Sequence, residues 1–155
     1  MTAKRRCARR LALQGLCCLD VQGDEARPAF EQFIDDSREN TDTRDLARRL
    51  LETAWADRAA CDDLLVRHAR HWQLERLALV DRNILRLATA EMRARHAPDK
   101  VVISEALHLA QELSTAESPR FVNGVLDAVA RELRQNGSKD ASDTNDNDVN
   151  GDRRG

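Results

Sequence analysis

Aromatic residues are scarce in this chain: Phe30, Phe33, Phe121, Trp55 and Trp72, with no tyrosine. Strands draw on aromatic and β-branched residues, so the shortage argues against a β-sandwich. The core must come from Leu, Val, Ile and Ala, which suits packed helices. The four cysteines, Cys7, Cys17, Cys18 and Cys61, form no C-x-x-C pair and no regular framework. That excludes a disulfide-stapled scaffold or a zinc ribbon. The first residues lack the apolar stretch of a signal peptide, and no run approaches the roughly 20 apolar residues of a membrane span. A reduced, cytoplasmic protein with no membrane partner is expected.

Catalytic signatures are missing as well. The chain has no G-x-S-x-G, no glycine-rich phosphate loop and no H-x-E followed by C-x-x-C. Its carboxylates alternate with arginine along helical stretches (Asp42, Asp45, Glu52, Asp57), as on a solvated, ion-paired face. No nucleophile–base constellation emerges, so neither an enzyme nor a cofactor is expected. His68 and His71 lie three apart with Cys61 two turns earlier, but a zinc site needs three or four converging ligands. No metal is expected. Cys17 and Cys18 are adjacent and point to different faces of a helix.

What the chain does have is uneven charge. The formal net charge is only -2, yet Lys4, Arg5, Arg6, Arg9 and Arg10 put five cations into seven positions. Residues 140–152 carry five Asp and no cation. At 155 residues, one domain with a sizeable core is expected.

The helical period dominates the ordered part. From residue 4 to 21, Cys7, Ala8, Leu11, Ala12, Gly15, Cys18 and Leu19 share one arc. Arg5, Arg6, Arg9 and Arg10 share the other, with Cys17 further along, and Gly23-Asp24 ends the helix. A short helix follows Pro28, with Phe30, Phe33 and Ile34 inward. A polar loop spans 36–42, where Thr41 or Asp42 is a candidate cap. Residues 44–68 form one long helix or two joined ones. Residues 77–95 read as the central helix, on Leu77, Val80, Ile84, Leu87, Ala88 and Met92. The next helix runs through Val102, Ala106, Leu109, Ala110 and Leu113. Ser118-Pro119 reads as a capping hydroxyl before a first-turn proline, opening a helix with Phe121, Val122, Val125, Leu126, Val129 and Leu133 inward. Gly124 in that helix predicts close approach by a neighbour. Residues 135–155, rich in Asn, Asp, Ser and Gly, are expected to form a disordered tail.

Two readings of the cationic start stand side by side. Charge runs are often solvated faces. Here no acid is interleaved, and cations on one arc repel unless an anion is present, which favours a nucleic-acid partner. Phe121 likewise reads as core, or as a ring that stacks on an unpaired base while Arg120 meets a phosphate.

Three strings settle on one resemblance: Val80-Asp81-Arg82-Asn83-Ile84-Leu85-Arg86-Leu87-Ala88, then Pro98-Asp99-Lys100-Val101-Val102-Ile103-Ser104-Glu105-Ala106, then Phe121-Val122-Asn123-Gly124-Val125-Leu126-Asp127. With the Arg-rich helix running through Gln14-Gly15-Leu16, they resemble the NusB family of bacterial transcription antitermination factors over residues 4–134. The resemblance implies an all-α fold of two packed helical subdomains. It implies binding of single-stranded boxA RNA in ribosomal RNA leaders as a heterodimer with NusE, a small-subunit ribosomal protein. That pair would help recruit further Nus factors to RNA polymerase. Matched by position, Arg5, Arg6 and Arg9 are implied phosphate contacts, with Lys4 and Arg10 adding to the field. Arg120 and Phe121 fall in the second RNA-contacting segment. Cys17 stands where the family often has an aromatic, and a thiol cannot stack comparably on a base. The alternatives are a helical module whose Arg stripe meets an acidic protein or a second copy of itself, as a homodimer, and the RNA methyltransferase context in which similar domains also occur. No methyltransferase segment is present in this chain.

Overall fold

The computed structural model describes residues 3–69 and 73–145, with side-chain surroundings to residue 137. Seven α-helices make up the described chain: α1 (Ala3–Gln22), α2 (Arg27–Asp36), α3 (Thr41–Ala56), α4 (Arg58–His68), α5 (Leu79–Ala94), α6 (Asp99–Leu113) and α7 (Ser118–Asn145). Short 3₁₀ turns precede α2 and α5. His71 and Trp72 lie outside the described residues.

The helices form two bundles that meet at α5. In the first, α1 packs along α3 and against α2. In the second, α5, α6 and α7 pack on one another, with α4 against α5 and α7. The central helix α5 also touches α1 and α3, so one continuous apolar core runs through both bundles. Its largest fully buried residues include Leu13, Leu16 and Leu19 of α1, Leu51 of α3, Ile84, Leu85 and Leu87 of α5, and Val122 and Leu126 of α7.

Local chemistry sets the boundaries. Gly23, at φ 71°, breaks away from α1 in a left-handed conformation open to glycine at little cost. Asn40, not Thr41 or Asp42, caps α3: its side chain accepts from the Thr43 N–H at 2.9 Å. The stretch 44–68 is two helices, broken at Asp57. Phe33, expected inward, is 46 % exposed, while Phe30 and Ile34 are buried. Ten residues leave α2 only one narrow apolar face, and Phe33 lies off it.

Glycine positions divide unexpectedly. A Cβ on Gly15 would meet the Phe30 ring at 2.5–2.8 Å, so α2 crosses α1 where no side chain fits. A Cβ on Gly124 would meet nothing within 4 Å, so the close approach expected there is absent. At the far end α7 continues to Asn145, past the expected start of the tail at 135. A helix already nucleated on a packed segment adds one hydrogen bond per further residue, so Asn136 and Gly137 do not stop it. Residues 146–155 lie outside the described residues.

Candidate nucleic-acid interface

The cationic run occupies the first three turns of α1, where it divides between two flanks. Lys4, Arg5 and Arg9 line a cleft of about 1150 Å³ with residues of α3 and the end of α5, among them Asp42, Asp45, Arg49 and Glu91. Arg6 and Arg10 reach the other way, to α6. At 100° per residue Arg5 and Arg9 share one direction, while Arg6 and Arg10 share another, so a single stripe was too coarse a picture.

The larger correction concerns charge. No acid is interleaved in the run itself, yet other helices supply them. Lys4 Nζ pairs with Asp42 at 2.9 Å. Arg6 grips Glu105 through two parallel hydrogen bonds of 3.1 Å each. Arg10 pairs with Glu112. Arg9, expected on the solvent-facing arc, is buried against Glu91 of α5, with bonds of 2.8–3.1 Å from Nε and Nη2 and side chains 5 % exposed on both sides. It is a clamp between α1 and α5, because a desolvated guanidinium needs its bidentate partner. A phosphate reaching Arg9 would have to displace that partner. The signal for this was Glu91 itself, an acid between the buried Ala90 and Met92, which calls for a buried cation.

Glu105 carries the same message. Burial works to raise its carboxyl, but Arg6 holds it below the usual range, and Arg9 and His108 add to the effect. Arg6 itself remains 45 % exposed at its side chain, so it faces both the acid and solvent.

A second polar centre fastens the far end of α1. Asp20 Oδ2 accepts from Arg82 Nε at 2.8 Å and Asn83 Nδ2 at 2.9 Å, with Arg86 Nη1 at 3.1 Å. Arg86 also grips Asp62 of α4 at 2.8 and 2.9 Å. Burial pushes the Asp20 carboxyl up, but the bonds from Asn83 and Arg82 and the field of Arg86 bring it below its ordinary value. Cys17, one turn earlier, packs against the core. Burial, with Cys18 and Asp20 nearby, pushes its thiol up to about 11. It is a neutral, half-buried group that offers no stacking face.

Arg120 and Phe121 stand in the first turn of α7. Arg120 is exposed and has no ion pair among the described residues. Phe121 is half-buried and packs on the edge of the core. Ser118, expected as a cap, directs its hydroxyl elsewhere: it donates to Asp81 at 2.9 Å and contacts the hydroxyls of Ser114 and Thr115, each at 2.9 Å.

The end of α6 is tied to both α1 and the start of α7. As α1 advances from Arg6 to Arg10, its acid partners advance from Glu105 to Glu112. Glu112 lies just before Ser114, which is tied to Ser118 at the start of α7. Among the described residues, no group of His, Cys, Asp and Glu is placed to hold a metal, and no helix is long and apolar enough to cross a membrane. His68 instead lies 3.3 Å from Glu132.

The sequence and the fold are similar to those of known proteins. The family model described as NusB matches residues 6–131. The transcription antitermination protein NusB of Symbiobacterium thermophilum is 40 % identical over 139 residues, covering 84 % of this chain and 91 % of that one. That of Solibacter usitatus is 44 % identical over 137 residues, with the same coverage. Among solved structures, T. maritima NusB superposes with a TM-score of 0.76 at 34 % identity, over 85 % of this chain and 94 % of that one. A structure of antitermination factors NusB and NusE in complex with dsRNA gives a TM-score of 0.75 at 27 % identity, over 85 % and 99 %. The strings that pointed to the resemblance are the ones that build this fold, since Asp81, Arg82, Asn83, Arg86 and Glu105 are its polar ties, and by sequence and architecture together the chain belongs to the NusB family.

Proposed function

We propose that residues 4–134 bind boxA RNA from ribosomal RNA leaders as a heterodimer with NusE, and that the pair recruits other Nus factors to RNA polymerase. The observation that carries this is the pair of ties at the end of α6: Arg10 of α1 rests on Glu112, and Ser114 holds Ser118, two residues before the exposed Arg120 and its neighbour Phe121. In this role the protein is no enzyme. It acts by assembly, in the cytoplasm where transcripts are made.

The geometry supports a division of labour. Arg5, Arg6 and Arg10, with Lys4, supply phosphate contacts that set register and affinity. Arg120 adds one from α7, and the Phe121 ring meets an unstacked base. Arg9 is assigned an indirect part, holding α1 on α5. Cys17 contributes no ring, so affinity leans more on NusE.

Fluorescence anisotropy of labelled boxA RNA tests this, against a scrambled single strand and a duplex, with and without NusE, at two salt concentrations. A boxA preference that strengthens with NusE is the expected result. Weak, equal binding to all three RNAs, unchanged by NusE, would defeat the proposal. The duplex arm matters because the related NusB–NusE structure holds dsRNA.

A further inference from the structure

We propose that Asp81 is a positioning residue for RNA binding: through Ser114 and Ser118 it fixes the turn that presents Arg120 and Phe121. This rests on the RNA-binding reading above. Asp81 is the third residue of α5, far in sequence from the turn it holds. It is only 8 % exposed, and no ion pair to it occurs among the described residues. Each carboxylate oxygen has its own donor: Ser114 Oγ to Oδ1 at 2.7 Å, and Ser118 Oγ to Oδ2 at 2.9 Å. The two hydroxyls lie 2.9 Å apart, and Thr115 Oγ1 is 2.9 Å from Ser118. The Ser118 N–H also donates to the Thr115 carbonyl at 3.1 Å.

The connection of α6 to α7 is thus closed at both ends by one carboxylate. The first turn of α5 is a favourable place for that charge, because unpaired N–H groups there carry partial positive charge. Ser118 is 3 % exposed, while Arg120, two residues on, is exposed. The clip therefore anchors the buried side of the same helical turn whose outer side carries the guanidinium. Its loss would not remove a contact to RNA. It would let the first turn of α7 fray, and with it the joint placement of Arg120 and Phe121.

The test uses Ser114→Ala/Ser118→Ala, which keeps Asp81 and deletes both donors, alongside Asp81→Asn. The contact itself is removed by Arg120→Ala/Phe121→Leu, where leucine retains the packing and loses the ring. Anisotropy with boxA and scrambled RNA is read well below each variant's melting transition, so unfolded protein does not contribute. The serine variant is expected to weaken boxA binding about three- to tenfold, part of what one base stack provides, with the salt slope falling by up to about 0.7 as the Arg120 phosphate contact is misplaced. Combined with Arg120→Ala/Phe121→Leu, it should cause no further loss. A merely structural clip would give losses that multiply, and that outcome overturns the proposal. So does wild-type binding by the serine variant while Arg120→Ala/Phe121→Leu binds weakly. Wild-type binding by Arg120→Ala/Phe121→Leu alone would instead fail the contact reading, and this proposal with it.

Discussion

Arg9 and Arg10 are neighbours in sequence, yet they belong to different regions of the molecule. Arg9 lies in the seam between α1 and α5, dry and doubly bonded to Glu91. Arg10 lies on the rim, half exposed against a half-exposed Glu112. The chemistry is the same, a guanidinium on a carboxylate, and the consequences are opposite. In the seam, both ions have lost their water, so removing one strands the other. On the rim, water replaces either partner and a phosphate can compete. Charge in a sequence therefore says little about function until burial is known.

The largest expected effect is in the seam. Arg9→Ala leaves Glu91 buried and unpaired, and should destabilise the fold by about 3–5 kcal/mol. Urea unfolding checks this. RNA binding by the folded fraction should keep its salt dependence; a slope reduced by about 0.7 would move Arg9 back among the phosphate contacts.

A second contrast separates two glycines. Gly15→Ala drives a Cβ into the Phe30 ring and should cost about 1–3 kcal/mol, the usual range for overpacking. Gly124→Ala meets open space and should stabilise α7 by about 1 kcal/mol through helix propensity. Thermal melts of the two variants should shift in opposite directions, and a shared direction would refute the distinction.

The seam should also reveal itself in acid. Asp20 and Glu105 both have folded carboxyls held below their ordinary values. Their contribution is complete above the unfolded values of about 3.9 and 4.3, and is lost as pH falls through the lower folded values. The urea midpoint should therefore fall as pH is lowered from about 5 to about 3. Asp20→Asn should be less stable than wild type at pH 7, with the gap narrowing in acid. A constant gap would mean that the charge on Asp20 contributes nothing.

Smallest is the rim. Arg10→Ala should leave the fold intact and lower the RNA salt slope by about 0.7, one phosphate contact on a single strand. Glu112→Gln should tighten RNA binding slightly, by no more than an exposed ion pair of about 0.2–1 kcal/mol withholds. Unchanged RNA affinity in both variants would remove Arg10 from the interface.

Much of this was legible beforehand. Apolar spacing located the helices from Leu46 to Leu133, and Gly23 marked the end of α1, because burial on a helix imposes its period on any sequence. The Phe121-to-Asp127 string identified the family. Less legible were the roles of single polar groups. Ser118-Pro119 does open α7, but the Ser118 hydroxyl does not cap it, because Asp81 on another helix takes that hydroxyl. Phe33 fitted the inward pattern and remained half exposed, because α2 is short and covers only what α1 presents to it.

The sequence by itself determined the all-helical class, the family and the existence of a cationic first helix. Each rests on local periodicity or on strings of adjacent residues. Only the tertiary structure decided which cations are dry clamps and which are paired at the solvent-facing rim. Glu91, Glu105 and Glu112 come from helices distant in the chain, and the worth of an ion pair depends on the water that packing removes from around it.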